Sequence, residues 1–399
     1  MMGKEILAEA KALQKKLTEW RRWLHSNAET GFDLLCTKAF VKDKLRELGY
    51  APSDCGKGIV ATVGNEKNGK TFLLRADMDA LPIEESSGVP FACKTGKMHA
   101  CGHDMHTAML LGAAYVLKKY EKDLRGCVKF VFQPAEELLS GAKEMLDAGV
   151  LQEPNVDGAM MLHVLTGLSV PAGTVIVSSG GVSAPAADYF TVRVQGRGCH
   201  GSTPEQGVNA LTVAARITLA LEGLTARELG LSQPAVLTVG RLQAGTVANA
   251  LADRATLEGT LRAYDEKTRA KLKIRISEIA SGMGGVFHAT AETEFTSGCP
   301  CLVNDENLSA EIKKYLSELL NEGTVYASKE FSGGDRRGGG SEDFAYIAQK
   351  TPSVMVALAA GEPEKGYGYP LHHPKTKFDE SVLHIGAAAY AYGAIRFLE

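Results

Sequence analysis

A thiol, three imidazoles and a carboxylate fall within nine residues, Met98-His99-Ala100-Cys101-Gly102-His103-Asp104-Met105-His106. These are the ligand types of zinc and its neighbours, and their density points to a metal-dependent active site. Isolated groups of the same kind stand farther along the chain: the carboxylate pair Glu136-Glu137, His163 after an apolar run, and His372-His373 near the C-terminus. Together they could coordinate two metal ions. Fewer than four protein ligands per ion would leave room for water, the reagent of a hydrolase.

Each group also has a plainer reading. Cys101 and His103 could serve only a turn, but two more histidines flank them, and His99 and His106 suit packing or support behind the ligands. Adjacent glutamates usually mark a solvated edge. Here they follow an apolar strand and Pro134, so at least one is held near the interior, where an unpaired carboxylate is costly. A metal supplies the missing partner for one, and the other can take a proton from water as general base. A histidine after Met160-Met161-Leu162 is more often a core residue, but beside the other donors His163 reads as a ligand. Only one of His372 and His373 need bind metal, and His372 is assigned that role.

Other runs carry less. Cys299-Pro300-Cys301 lacks a second pair to complete a zinc site. Gly196-Arg197-Gly198-Cys199-His200-Gly201 matches a dinucleotide-binding loop, but Pro204 follows almost at once and the later acid, Glu222, lies in helical sequence. Gly338-Gly339-Gly340-Ser341 leads into Glu342-Asp343 with no lysine, a pairing that would repel phosphate. Neither supports a nucleotide enzyme.

Elements must bring these groups together. Ile6, Ala10, Leu13, Leu17, Trp20 and Leu24 recur at helical spacing and predict one amphipathic helix over the first 25 residues. Residues 59–63 and 71–75 read as strands joined by an Asn68-Gly69 hairpin turn, the second running into Asp77-Met78-Asp79. A helix over 107–119 starts at the histidine run. Residues 128–132 and 158–162 are strands ending at the glutamate pair and at His163. Alternating strands and helices predict an α/β domain, a central mixed sheet flanked by helices, with polar residues gathered beyond the carboxyl ends of the strands. After the Ser178–Ser183 stretch the texture changes to strands at 189–194, 236–241 and 255–262 with helices at 209–221 and 267–282, a smaller α+β domain. The expected division is 1–183 with 299–399 for the metal-binding domain and 184–298 for the insertion.

With 399 residues the chain suits two domains, and with 45% apolar and 23% charged residues it can fill a core and keep a soluble surface. A formal charge of −3 gives no reason to expect nucleic acid or an anionic membrane as partner. No apolar run approaches a membrane span or a secretory signal, so the expected location is cytoplasmic. Eight scattered cysteines do not resemble a disulfide framework, which favours Cys101 as a reduced thiolate ligand.

Several long motifs in order, Arg75-Ala76-Asp77-Met78-Asp79-Ala80-Leu81-Pro82, Met98 to His106, Phe132-Gln133-Pro134-Ala135-Glu136-Glu137, Ser341-Glu342-Asp343-Phe344 and Leu371-His372, resemble the M20 metallopeptidase family. The resemblance is to its amidohydrolase branch of hippurate hydrolases, N-acyl-amino-acid deacylases and auxin-conjugate hydrolases. It implies Cys101, His103, Glu137, His163 and His372 as ligands of two divalent ions, zinc or manganese with cobalt or nickel as alternatives. It implies Glu136 as the base and Asp79 as support behind the ligands. In the family the inserted domain is a lid and forms dimers. His200 matches a histidine that stabilises the oxyanion, often across the subunit interface, and Asn249 and Arg262 match residues proposed to hold the substrate carboxylate. Ala28-Glu29, Leu35 and Ala250-Leu251-Ala252 depart from the branch pattern, and the last bears on the pose of Asn249. The expected activity is hydrolysis of the amide bond of a small N-acyl amino acid by a homodimer or higher homo-oligomer. The alternatives are dipeptidase or carboxypeptidase activity, a non-catalytic metal-binding protein, and a thiol hydrolase using Cys101.

Overall fold

The apolar stripe at the N-terminus folds as two helices, Met2–Ala12 and Gln14–Ser26, broken at Leu13, instead of the single helix expected. Ile6, Ala10, Leu13, Leu17, Trp20 and Leu24 are nonetheless all buried, so the break keeps the stripe on one side. The computed structural model describes residues 2–321, 323–332 and 339–399, and Gly338 of the glycine run lies outside them. Two compact units result: Met1–Ser183, Val303–Arg337 and Asp343–Glu399 form one, Ala184–Leu302 and Gly338–Glu342 the other.

The first unit is built on an eight-stranded mixed sheet, in the order Ser53–Cys55, Gly58–Gly64, Gly126–Gln133, Lys70–Asp77, Gly158–Leu165, Ser353–Ala359, Val175–Val177, Val325–Ala327. Four consecutive strands, Gly126–Gln133 through Ser353–Ala359, run parallel and so share one carboxyl end. The hairpin expected at Asn68-Gly69 does not form. Gly126–Gln133 lies between the two strands, antiparallel to Gly58–Gly64 and parallel to Lys70–Asp77. Lys70–Asp77 is buried at every position after Lys70, which suits the interior of a sheet covered on both faces. The connecting turn is a short 3-10 helix, with Asn65 accepting from the Lys67 amide.

Helix His103–Lys119 buries residues on every side, as its apolar run from Ala108 to Leu117 demands. It packs against Gln14–Ser26 and Leu383–Leu398. The approach is close because it uses glycine: a Cβ on Gly112 would come within 2.6 Å of Leu17, and one on Gly386 would collide with Met109. No described helix is long and apolar enough to cross a membrane.

The second unit is an antiparallel sheet, Thr290–Cys299, Ala186–Gln195, Arg254–Ala263, Ala235–Ala244, with helices Ala210–Glu222 and Glu266–Val286 over it. Phe190, Val192, Leu257, Leu261, Ile217 and Ile276 form its core. The helices start where Asn209 and Asp265 cap the amides of Leu211 and Thr268. Strand Thr290–Cys299 was not anticipated. Its Thr, Glu and Ser residues hide the apolar alternation, because it is an edge strand.

Candidate active site

Between Cys101 and His103 the backbone turns through Gly102 at φ 88, in the left-handed region. A Cβ there would collide with Val164, so only glycine lets the turn lie against strand Gly158–Leu165. That strand runs two residues past His163, which therefore projects from within the sheet and not from its end. His372 also sits at positive φ, 64°, and its loop is tied back by its amide bonding to the Ala100 carbonyl. Glu136 and Glu137 lie on the loop after strand Gly126–Gln133, where the Asp79 carboxylate accepts their amides at 3.0 and 3.2 Å.

These segments bring their donor atoms together. Cys101 Sγ lies 3.5 Å from His163 Nε2 and 3.3 Å from His372 Nε2, and His372 Nε2 is 3.4 Å from Glu137 Oε1. His103 Nε2 is 3.9 Å from both Glu136 Oε2 and Glu137 Oε1. Among the described residues five groups have all their donors within 4.8 Å, and three of them are made of these residues: Cys101, His103 and His163; Cys101, Glu137 and His372; and His103, Glu136 and Glu137. Cys101, His103 and Glu137 each belong to two of these three.

Hydrogen bonds behind the cluster set its rings. His103 Nδ1 donates to the Asp79 carbonyl at 2.8 Å and His163 Nδ1 to the Val164 carbonyl at 2.7 Å, which turns each Nε2 toward the cluster. His103 Nε2 and Glu137 Oε1 are buried and have no hydrogen-bond partner among the described residues. Orphaned buried donors of these chemical types are what a bound cation would satisfy, so the residues fit a metal. His106 is otherwise occupied: its Nε2 accepts from the Val164 amide, so its Nδ1 carries the proton given to Asp77 at 2.6 Å. His373 stacks on Tyr369, with ring centroids 4.4 Å apart.

The electrostatics follow. Burial opposes a thiolate at Cys101, but His163 and His103 outweigh it and bring the thiol down to about 6. Burial likewise opposes charge on His163, and Cys101 reverses it, raising the ring to about 9. The nearby Cys101 thiolate and Glu137 carboxylate raise His372 to about 10. Burial alone dominates at His99, which falls to about 3.

Residues 73–395 match the family described as peptidase family M20/M25/M40. The chain belongs to that family. It is 37% identical over 405 residues to thermostable carboxypeptidase 2 of Saccharolobus solfataricus, covering 98% of this chain and 99% of that protein. It is 33% identical over 389 residues to N-acetyl-L-cysteine deacetylase of Bacillus subtilis, covering 97% and 89%. Among solved structures it resembles the YXEP protein of Bacillus subtilis, a dinuclear metal binding peptidase of the M20 family, with TM-score 0.78, 29% identity and coverage of 97% and 99%. This M20 member is a metal-dependent amidohydrolase.

His200, Asn249 and Arg262 all lie in the second unit, and they do not gather in one place within it. His200 Nδ1 contacts Ser202 Oγ at 2.7 Å, and His200 forms an isolated backbone bridge to Ala250, beside Asn249. Arg262 sits eight positions along strand Arg254–Ala263 from the end where that loop attaches, so roughly 27 Å separates them at a strand's rise per residue. Its guanidinium instead lies 5.7 Å from the Tyr189 ring centroid.

Two buried charge networks went unread in the sequence. Arg75, fully buried, donates to Gln133 at 2.9 Å, Asp77 at 2.6 Å and Asp343 at 3.0 Å. Arg21 donates to Asp104 at 2.7 Å, while His25 spans Asp104 at 2.8 Å and Glu85 at 3.0 Å. The available signal was a charge inside an apolar element, since Arg75 interrupts a buried strand and must find a counter-charge.

Proposed function

We propose that this amidohydrolase cleaves the amide bond of N-acyl amino acids at a dinuclear centre, releasing a carboxylic acid and an amino acid. The observation that carries the reading is the interlocking of the donor groups, in which Cys101, His103 and Glu137 each serve in more than one, with Glu136 as an additional carboxylate beside them. Cys101, His103 and His163 would hold one divalent ion and Cys101, Glu137 and His372 the other. Zinc or manganese suits these donors, and cobalt or nickel also fits. When bound, the ions would polarise the scissile carbonyl and ease deprotonation of the attacking water.

The chain's own residues supply the rest. Glu136 takes the proton of the attacking water on a carboxylate oxygen and delivers it to the leaving nitrogen. His103 and His163 stay oriented because their second nitrogens are tied to backbone carbonyls. His200 would donate to the developing oxyanion from the inserted domain, which acts as lid and dimerisation unit. Asn249 and Arg262 would hold the substrate carboxylate. The separation of Arg262 from the loop that carries His200 and Asn249 supports a homodimer or higher homo-oligomer, in which one small substrate meets residues from two copies.

The test is Glu136→Gln on metal-reconstituted protein. Turnover should fall roughly 10²–10⁴-fold while the metal content persists. Retained turnover would discredit the base, and lost metal would make Glu136 a ligand. A second reading, carboxypeptidase action on small peptides, is favoured by the 37% identity to thermostable carboxypeptidase 2. A panel of N-acetyl, N-benzoyl and long-chain N-acyl amino acids alongside dipeptides separates the two.

A further inference from the structure

Of the run Ser341-Glu342-Asp343-Phe344, no residue enters the chemistry above, yet Asp343 is fully buried beneath it. We propose that Asp343 is the positioning residue for Glu136, holding both ends of the loop that carries it. This rests on the reading of Glu136 as the base.

The loop leaves strand Gly126–Gln133 at Pro134 and enters helix Gly141–Asp147. One oxygen of Asp343 accepts from Gln133 Nε2 at 2.7 Å, immediately before the loop. The other accepts from the Ala142 amide at 2.9 Å, immediately after it. Between these anchors Ala135 and Leu139 stand at φ 54 and φ 51, a left-handed conformation that residues with a Cβ keep only when their surroundings hold them. Asp79 pins the middle through the amides of Glu136 and Glu137. A single carboxylate therefore closes the base of the loop and a second fixes its crest.

Asp343 does not compete for the proton itself. Its Oδ1 accepts from Arg75, which also binds Asp77 and Gln133, so its charge is compensated inside the core. A carboxylate oxygen of Asp343 lies within 4.8 Å of one on Glu136, near enough for a shift of one to move the other. The site demands two acceptors, one per loop end. Asparagine offers one and turns an amino group toward a donor, so Asp343→Asn releases one end without removing volume.

Asp343→Asn is measured as reconstituted holoenzyme on an N-acetyl amino acid that the parent turns over. The kcat should fall about 30- to 100-fold, the cost of a misplaced reacting group, with KM within about threefold and metal content unchanged. In a Glu136→Asp background, where the base is already displaced, the same change should cost less than about threefold more. A purely structural role would instead lower the melting temperature and act equally in both backgrounds. Folded Asp343→Asn with kcat within about threefold of the parent, or an undiminished loss in the Glu136→Asp background, overturns the proposal. Should Asp343→Asn not fold, Gln133→Met removes the anchor at the start of the loop while keeping side-chain volume. A fall in kcat of about tenfold supports the proposal, and unchanged kcat overturns it. Active Glu136→Gln would sink the base itself, whereas inactive Glu136→Gln beside unaffected Asp343→Asn sinks only this inference.

Discussion

Replacing Arg21 with Met should destabilise the protein strongly and in a pH-dependent way. Arg21 is 2% exposed and Asp104 0%, with Arg21 Nε 2.7 Å from Asp104 Oδ2. Methionine keeps the apolar stem and removes the charge, leaving His25 at 2.8 Å as the near partner of that carboxylate. Breaking a buried ion pair costs about 3–5 kcal/mol, and His25 places this case near about 3. For a chain of this size that corresponds to a fall of roughly 3–5 °C in melting temperature. Burial opposes the charge on Asp104, but Arg21 and His25 outweigh it and hold the carboxyl well below the usual range. A depressed carboxyl contributes stability above its unfolded pKa of about 3.9, and loses it as pH falls. The gap between parent and Arg21→Met should therefore be full from about pH 5 to 7 and shrink below about pH 4. Urea and thermal melts of metal-free protein across that range measure it. A gap under about 1 kcal/mol, or one indifferent to pH, would refute the account.

Two further outcomes are expected. His163 and His372, raised to about 9 and about 10, and His103, raised well above its usual value, are protonated at neutral pH in the metal-free protein, whereas Cys101, near 6, is largely thiolate. Ligation needs neutral imidazoles, so metal uptake at pH 7 should release about three protons and tighten as pH rises; calorimetry in buffers of different ionisation enthalpy counts them, and no release would contradict it. The fully buried Tyr390 hydroxyl accepts from the Leu162 amide at 2.8 Å and donates to the Arg75 carbonyl at 2.7 Å, so Tyr390→Phe should cost about 1–3 kcal/mol in urea melts, and an unchanged midpoint would count against it.

What could be read from the sequence was local. Ligand-type residues crowd Met98 to His106, and apolar runs before Asp77 and Glu136 mark strands whose ends carry acids. The mixed sheet with flanking helices follows from that alternation. Pairing was not legible, because strand neighbours are chosen by burial across the whole sheet. Asn68-Gly69 has hairpin chemistry, but Lys70–Asp77 needs covered neighbours on both edges, and Gly126–Gln133 takes the place between. The charge networks were hidden for a related reason: Arg75 meets Asp343 across 268 positions, and Arg21 meets Asp104 across 83. A motif shows that Asp343 stands beside Glu342; only the fold shows that it closes a loop two hundred residues upstream.

The strand Ser353–Ala359 lies inside the sheet, between Gly158–Leu165 and Val175–Val177, and Leu383–Leu398 covers the helix that begins at His103. During synthesis, everything through the inserted domain leaves the ribosome before these pieces exist. A nascent chain therefore carries Cys101, His103 and His163 with a gap in its sheet and no His372, so the proposed metal centre is incomplete until translation ends. Premature stop codons before this segment should yield insoluble or degraded fragments, not a smaller working enzyme.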